Sequence, residues 1–210
     1  MANTDTKTRI LETAERLFAS EGLSRTSLRA ITCEAGVNVA AVHYHFGSKD
    51  ALLAEVVRRR VAPMNEERLA RIDAIEANGE GQPPPLEPLL RAYIEPAFLL
   101  KSAISGQEHL AQLFGRLSSE PEELLESTLR DIFEETAKRF RNALARAVPE
   151  LPLEELDWRL HFLLGGLIQV MMGRHAWHST TIDTTPEQET IERLISFAAA
   201  GLRAPFEKDK

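Results

Sequence analysis

The side chains best suited to chemistry crowd into one stretch, Ser24 to Leu53, SRTSLRAITCEAGVNVAAVHYHFGSKDALL. It holds three cations (Arg25, Arg29, Lys49), two adjacent hydroxyls (Thr26, Ser27), one amide (Asn38) and the run His43-Tyr44-His45. Guanidinium, ammonium and hydroxyl groups are the donors that phosphate oxygens accept from, while polar rings in a groove can read base edges. No nucleophile–base pair accompanies them, and the chain has no G-x-S-x-G, G-x-G-x-x-G or Walker pattern. The chemistry on offer is contact with a polyanion, not bond making. Neither an enzyme nor a cofactor is expected.

Contacts of this kind need elements that aim them. Thr26 or Ser27 can cap a first helix, where a side-chain oxygen accepts from free backbone N–H groups. Leu28, Ile31 and Ala35 repeat at helical spacing and predict a small buried stripe. Gly36 ends that helix, where glycine adopts the left-handed conformation at least cost. Asn38 caps the next, Val39 to Phe46, with Val42 and Phe46 one turn apart on its inner face. The pair reads as a helix-turn-helix, whose second helix enters the DNA major groove. Val39, Ala40 and Ala41 keep the front of that helix small, permitting close approach and contact with thymine methyl groups. His43 and Tyr44 are the candidate polar readers or phosphate donors; the bland reading of His43 is a half-buried packing residue. His45 holds the domain together or touches the DNA backbone. Ser48 caps a third helix, so the Lys49 ammonium and the N-terminal amides can meet one phosphate together. Arg25 and Arg29 are phosphate candidates whose bland reading is solvated charge. The hydroxyls of Thr26 and Ser27 can cap, bond phosphate, or do both.

The net charge of −7 speaks against a polyanion until it is located. Residues 1–50 carry six basic and six acidic side chains, leaving 19 of the 25 basic and 26 of the 32 acidic groups in residues 51–210. The acidity belongs to the body, and a neutral head binds DNA if its cations face the phosphates. The one cysteine, Cys33, cannot form an internal disulfide and fits a reducing cytoplasm. It is expected as a packed thiol. No signal-peptide pattern opens the chain, and the longest apolar run, Leu160 to Met172, is too short to span a bilayer.

The rest of the chain reads as helices. Ile10, Ala14, Leu17 and Phe18 mark the first. The helix opening at Lys49 continues through Leu69 and Ile72, bent at Pro63, and NGEGQPPP at 78–85 is the clearest loop. Further helices are predicted over Leu86–Lys101, Gln107–Leu117, a long one opened by Ser119-Glu120-Pro121-Glu122 and closed by Pro149, Leu153–Trp177, and a last one opened by Thr185-Pro186 and running to about Leu202. The Leu153–Trp177 helix is apolar on more than one side and so must bury more than one side. His43 and His45 do not share a helix face, and no third ligand completes His175 and His178, so no metal site is expected.

From Arg9 to Leu53, the amphipathic first helix followed by TSLRAIT, EAGVN, YHFGSK and AL resembles the TetR family of transcriptional regulators. One departure is the run His43-Tyr44-His45-Phe46, where many members carry Tyr at the first position. In the body, LDWRLHFLLGG at Leu156–Gly166 and ERLISFAAAGLRA near the end resemble members that respond to fatty acids or acyl compounds. The resemblance implies an all-α fold: a helix-turn-helix domain over 1–50, a helical effector-binding and dimerisation domain over 51–204, and a disordered tail over 205–210. It implies double-stranded operator DNA as partner and a repressor released by a small, largely apolar effector. Phe98, Phe114, Arg116, Phe133, Trp158 and Phe162 are candidate pocket residues, with Arg159 or His161 as alternative partners for a ligand carboxylate. Small residues in the last two helices suggest a two-fold four-helix interface, with Leu164, Leu167, Met171, Ile195, Ala198, Ala199 and Leu202 as its candidate residues. A homodimer supplies the contact area a lone recognition helix lacks. The competing reading is a helical carrier or enzyme with a vestigial head.

Overall fold

The structure, a computed structural model, describes residues 2–103, 113, 122–171 and 186–206. The described residues form helices joined by turns and no strand, as the all-α expectation requires. In chain order they are α1 (Ala2–Glu21), α2 (Leu28–Ala35), α3 (Val39–Phe46), α4 (Lys49–Asn78), α5 (Leu86–Ala103), α6 (Glu122–Ala147), α7 (Leu153–Met171) and α8 (Glu187–Arg203). The predicted helix over Gln107–Leu117, the Ser119 and Thr185 caps, the two histidines His175 and His178, and most of the tail lie outside the described residues.

The chain divides into two compact units, Met1–Pro63 with Ala103–Phe133, and Met64–Ser102 with Glu134–Lys210. The division falls inside the continuous helix α4, beside its internal Pro63.

In the first unit, Ile10, Ala14, Leu17 and Phe18 lie on one face of α1 and are almost wholly buried. They form a core with Ile31 and Ala35 of α2, Val42 of α3, and Leu52, Leu53, Val56, Val57 and Val61 of α4, all buried. Bidentate bonds of 2.9 Å from Arg60 to the buried carboxylate of Glu15 clamp α4 to α1. Lys7–Glu55 at 3.2 Å and Arg59–Glu12 at 3.6 Å lie along the same pair of helices. Burial pushes the Glu55 carboxyl up, but hydrogen bonds from Arg58 and Lys7 outweigh it and leave the group below its ordinary value.

The second unit buries Leu89, Leu90, Tyr93, Ile94 and Phe98 of α5, and Phe140, Ala143 and Leu144 of α6. α7 contributes Leu156, Leu160, Leu163 and Leu167, and α8 contributes Ile191, Leu194, Ile195, Ala198, Ala199 and Leu202. α7 and α8 pack on each other, with Leu194 3.8 Å from the position a Cβ on Gly166 would take. Arg159 of α7 donates to the carbonyls of Gly201 at 2.6 Å and Ala204 at 2.7 Å, satisfying the open C-terminus of α8. With a salt bridge to Glu155 at 2.7 Å, these contacts account for Arg159 without a ligand carboxylate.

Candidate nucleic-acid interface

Three side-chain caps build the head. Ser27 Oγ accepts from the Ala30 N–H at 3.1 Å and starts α2. Asn38 Oδ1 accepts from the Ala41 N–H at 2.8 Å and starts α3. Ser48 Oγ accepts from the Ala51 N–H at 3.0 Å and starts α4. Between α2 and α3, Gly36 sits at φ 64°, and the Val37 N–H reaches back to the Thr32 carbonyl at 3.0 Å. This is a left-handed helix stop that favours glycine. Arg9 locks it from α1, its guanidinium donating to the carbonyls of Ala35 and of Gly36, the latter at 3.1 Å. A Cβ on Gly36 would come within 3.1 Å of that guanidinium.

The consequence is a fixed α3 with one face in and one face out. Val42 is fully buried, whereas Ala40, His43 and Tyr44 are exposed, Tyr44 at 79%. Val39, Ala41, His45 and Phe46 are half-buried. His43 Nδ1 lies 2.9 Å from the Gly47 carbonyl, which can only accept, so Nδ1 carries the proton. In the neutral ring Nε2 is then an acceptor turned away from that bond, suited to an exocyclic amine of adenine or cytosine. Tyr44 stands edge-on to His45, with ring centroids 5.1 Å apart.

Other expected contact residues are spent inside the head. Thr26 is 1% exposed, and its hydroxyl donates within the fold to the carbonyls of Gly22 at 2.7 Å and Leu17 at 3.2 Å. Ser27 is the cap, and Thr26 has no phosphate-facing surface. The half-buried Lys49 turns its ammonium onto the Leu23 carbonyl, closing the turn after α1. Arg25 is exposed but bonds the Glu21 carbonyl at 2.9 Å through Nε, leaving its outer amines available. Arg29 is exposed and holds no partner among the described residues. Cys33 is exposed on α2, contrary to the packed thiol expected, because the buried positions of that helix are Ile31, Thr32 and Ala35. The roles of Lys7 and Arg9 were not read from the sequence. Lone cations on an amphipathic helix carry no signal of the carbonyl or carboxylate that the fold brings to them.

In the body, exposure runs against two expected assignments. Trp158 and Phe162, candidates for lining a pocket, are 57% and 62% exposed on α7, with Ile168 at 48% and Phe197 of α8 at 73%. Leu167, Ile195, Ala198, Ala199 and Leu202, candidates for a subunit interface, are buried within the chain, and Leu164 and Met171 are half-buried. α7 does have two apolar faces, but the one carrying Leu156, Leu160, Leu163 and Leu167 packs inward. Phe98 is buried and Phe133 half-buried, while Phe114 and Arg116 lie outside the described residues. Among the described residues no helix is long and apolar enough to cross a membrane, and no three ligating side chains cluster to hold a metal.

Comparison with known proteins agrees with this geometry. Residues 10–56 match the family model for bacterial regulatory proteins of the tetR family, and residues 91–201 match a tetracyclin repressor-like C-terminal domain. An uncharacterised HTH-type transcriptional regulator of Bacillus subtilis, YerO, is 27% identical over 64% of this chain and 49% of its own length. The HTH-type transcriptional regulator AcrR of Shigella flexneri is 42% identical over 25% of this chain and 24% of its own. The chain thus spans half or less of the length of these curated relatives. The fold matches that of the fatty acid degradation regulator FadR from Bacillus halodurans, with a TM-score of 0.63 at 14% identity, covering 95% of this chain and 97% of the other.

Proposed function

Since the chain belongs to the TetR family, we propose that it is a sequence-specific DNA-binding regulator, a repressor that works as a homodimer and leaves its operator when a small, largely apolar effector binds. The observation that carries the DNA-binding part is the outer face of α3, where Tyr44 is 79% exposed on a helix anchored from behind by Val42. The one ring contact of Tyr44 among the described residues is edge-on with His45, and most of the ring faces water. Against a base pair it supplies a hydroxyl and a flat apolar surface. Ala40 and Ala41 let the helix approach, His43 and Tyr44 read or bond phosphate, and Arg25, Arg29 and the Ser27 hydroxyl meet the flanking phosphates. Lys49 joins them only by releasing the Leu23 carbonyl.

The second copy is proposed to sit on the other exposed apolar surface, Trp158, Phe162 and Ile168 of α7 with Phe197 of α8. Clustered large apolar groups facing water mark interaction sites. A symmetric four-helix contact would present two α3 helices to successive major grooves. An effector of fatty-acid or acyl type, bound in the body, would favour another position of α4 and so lower DNA affinity by its differential affinity for the two states. The cytoplasm is the expected compartment.

The test titrates the protein against labelled DNA from upstream of its own coding region, read by fluorescence anisotropy at low salt, with a shuffled duplex as control. Specific binding is expected, and Tyr44→Ala should weaken it about tenfold or more, from roughly 1–3 kcal/mol per lost base contact. Equal affinity for both duplexes would overturn the reading.

A further inference from the structure

The arginines of the body are arranged against the demands of stability. Arg71, Arg91, Arg139, Arg141 and Arg203, all partly exposed, each bond a carboxylate. Arg68 of α4, 3% exposed, has none among the described residues. Its Nε–H donates to the Tyr93 carbonyl at 2.8 Å, and an Nη1–H points to Asn65 Oδ1 at 3.4 Å. Both acceptors are neutral. The guanidinium carbon Cζ lies over the Tyr93 ring, 3.9 Å from its centroid, and Tyr93 in turn stacks on Phe140 at 4.1 Å with 15° between the planes. Burial pulls the Arg68 pKa down, but an arginine stays charged in a protein. A buried charge without a counter-ion is costly, and buried charges are as a rule paired.

The geometry also says what kind of anion. The Tyr93 ring covers Cζ, and the Nη1–H and Nη2–H donors that bond neither Tyr93 nor Asn65 lie along the edge of the planar guanidinium. A carboxylate accepts two parallel bonds from such an edge. One turn to either side on α4 and α5, the residues are buried and apolar: Met64, Ile72, Leu89 and Ala97. We infer that Arg68 is the anion anchor of the effector site, and that the effector is an apolar carboxylic acid whose head group bonds the Arg68 fork beside Tyr93. This rests on the effector reading above and deepens it by naming the residue and the charge of the ligand.

The experiment pairs each acid with its neutral alcohol: decanoate with decanol, and phenylacetate with 2-phenylethanol. Each is titrated into the full-length protein by calorimetry, alongside thermal melting with and without the probe. At least one acid should bind ten times or more tighter than its alcohol and raise the melting temperature. In Arg68→Met the acid should lose at least tenfold in affinity, the alcohol should be unchanged, and the free protein should melt no lower than the wild type. A purely structural Arg68 would instead lower the melting temperature and leave the acid-to-alcohol ratio alone. If Arg68→Met does not fold, Arg68→Lys, which keeps the charge and loses the fork, should still cut the acid-to-alcohol ratio. Equal binding of acid and alcohol, or an unchanged ratio in the variants, overturns the anchor while leaving an effector site in place. Binding of none of the four probes overturns the anchor and counts against the effector reading as well. The DNA-binding reading is judged separately by the upstream duplex.

Discussion

The head and the α7–α8 pair solve opposite problems with their amphipathic helices. In the head, polar groups that could have faced a ligand are engaged by the fold: Thr26 by Leu17 and Gly22, Lys49 by Leu23, and the exposed Arg9 by the turn carbonyls. Of the expected contact residues, Arg25, Ser27, Arg29, Asn38, Ala40, His43 and Tyr44 remain exposed. In the α7–α8 pair, large apolar groups that could have filled the core face out, and the small and branched residues fill it instead. Polar groups turned in build a rigid reading head whose contact surface is narrow. Apolar groups turned out leave a face that needs a second surface. Side chains the fold does not use, whatever their polarity, are what the two proposed interfaces have in common.

The sharpest way to break the comparison is to exchange the two faces of α7. Leu167→Ala removes a buried side chain and should cost about 2–5 kcal/mol of stability, read as a shift in the denaturant midpoint. Phe162→Ala should leave the stability of the isolated protomer within about 0.5 kcal/mol, as expected for a surface site. If the two variants were equally destabilised, the assignment of inner and outer faces would be wrong. Next in size, Phe162→Asp places a charge on the outer face and should turn the proposed dimer into a monomer in sedimentation. Operator affinity should fall about a hundredfold through loss of the second half-site contact, roughly 2.7 kcal/mol by the tenfold per 1.4 kcal/mol rule. A dimer that survived this change would move the interface elsewhere.

How much of this was legible beforehand depended on the distance between partners in sequence. Ser27, Asn38 and Ser48 cap helices whose first turns are three residues away, so composition and spacing located α2, α3 and the start of α4. The Gly36 stop and the inward Val42 were readable for the same reason. Thr26 was ambiguous because a hydroxyl beside a cap has several local uses, and the buried choice depends on a carbonyl nine residues back in α1. For α7, periodicity revealed two apolar faces but not their order. That order is set by α8, whose Leu194 packs at Gly166. Arg68 was silent in the sequence, since its burial and its stacking on Tyr93 are created by two helices meeting.

Two smaller changes separate inward from outward polar groups in the head. Thr26→Val keeps the shape but leaves the Leu17 and Gly22 carbonyls without the hydroxyl, so stability should fall by about 1–3 kcal/mol. The salt dependence of DNA binding should not move. Arg29→Ala should do the reverse, with an unchanged melting temperature and a slope of log affinity against log salt reduced by about 1 for each protomer. If Thr26→Val altered the salt slope with stability intact, the hydroxyl would have to face phosphate after all.

The smallest effect concerns the exposed ion pairs of the body. Arg203 holds the Glu87 carboxyl below its ordinary value through hydrogen bonds of 2.5 and 2.9 Å, and Arg91 and Arg141 do the same for Glu192 and Asp157. A carboxyl whose folded pKa is depressed adds stability above its unfolded pKa and loses it as pH falls through the folded value. The melting temperature should therefore drop slightly below about pH 5. The triple variant Arg91→Gln, Arg141→Gln, Arg203→Gln should flatten that part of the curve. Because these pairs face solvent, 1 M salt should weaken their contribution in the wild type as well. A steep acid transition that persisted in the triple variant would place the responsible carboxylate elsewhere, and Glu55 in the head, held below its ordinary value by hydrogen bonds from Arg58 and Lys7, is the one to test by Glu55→Gln.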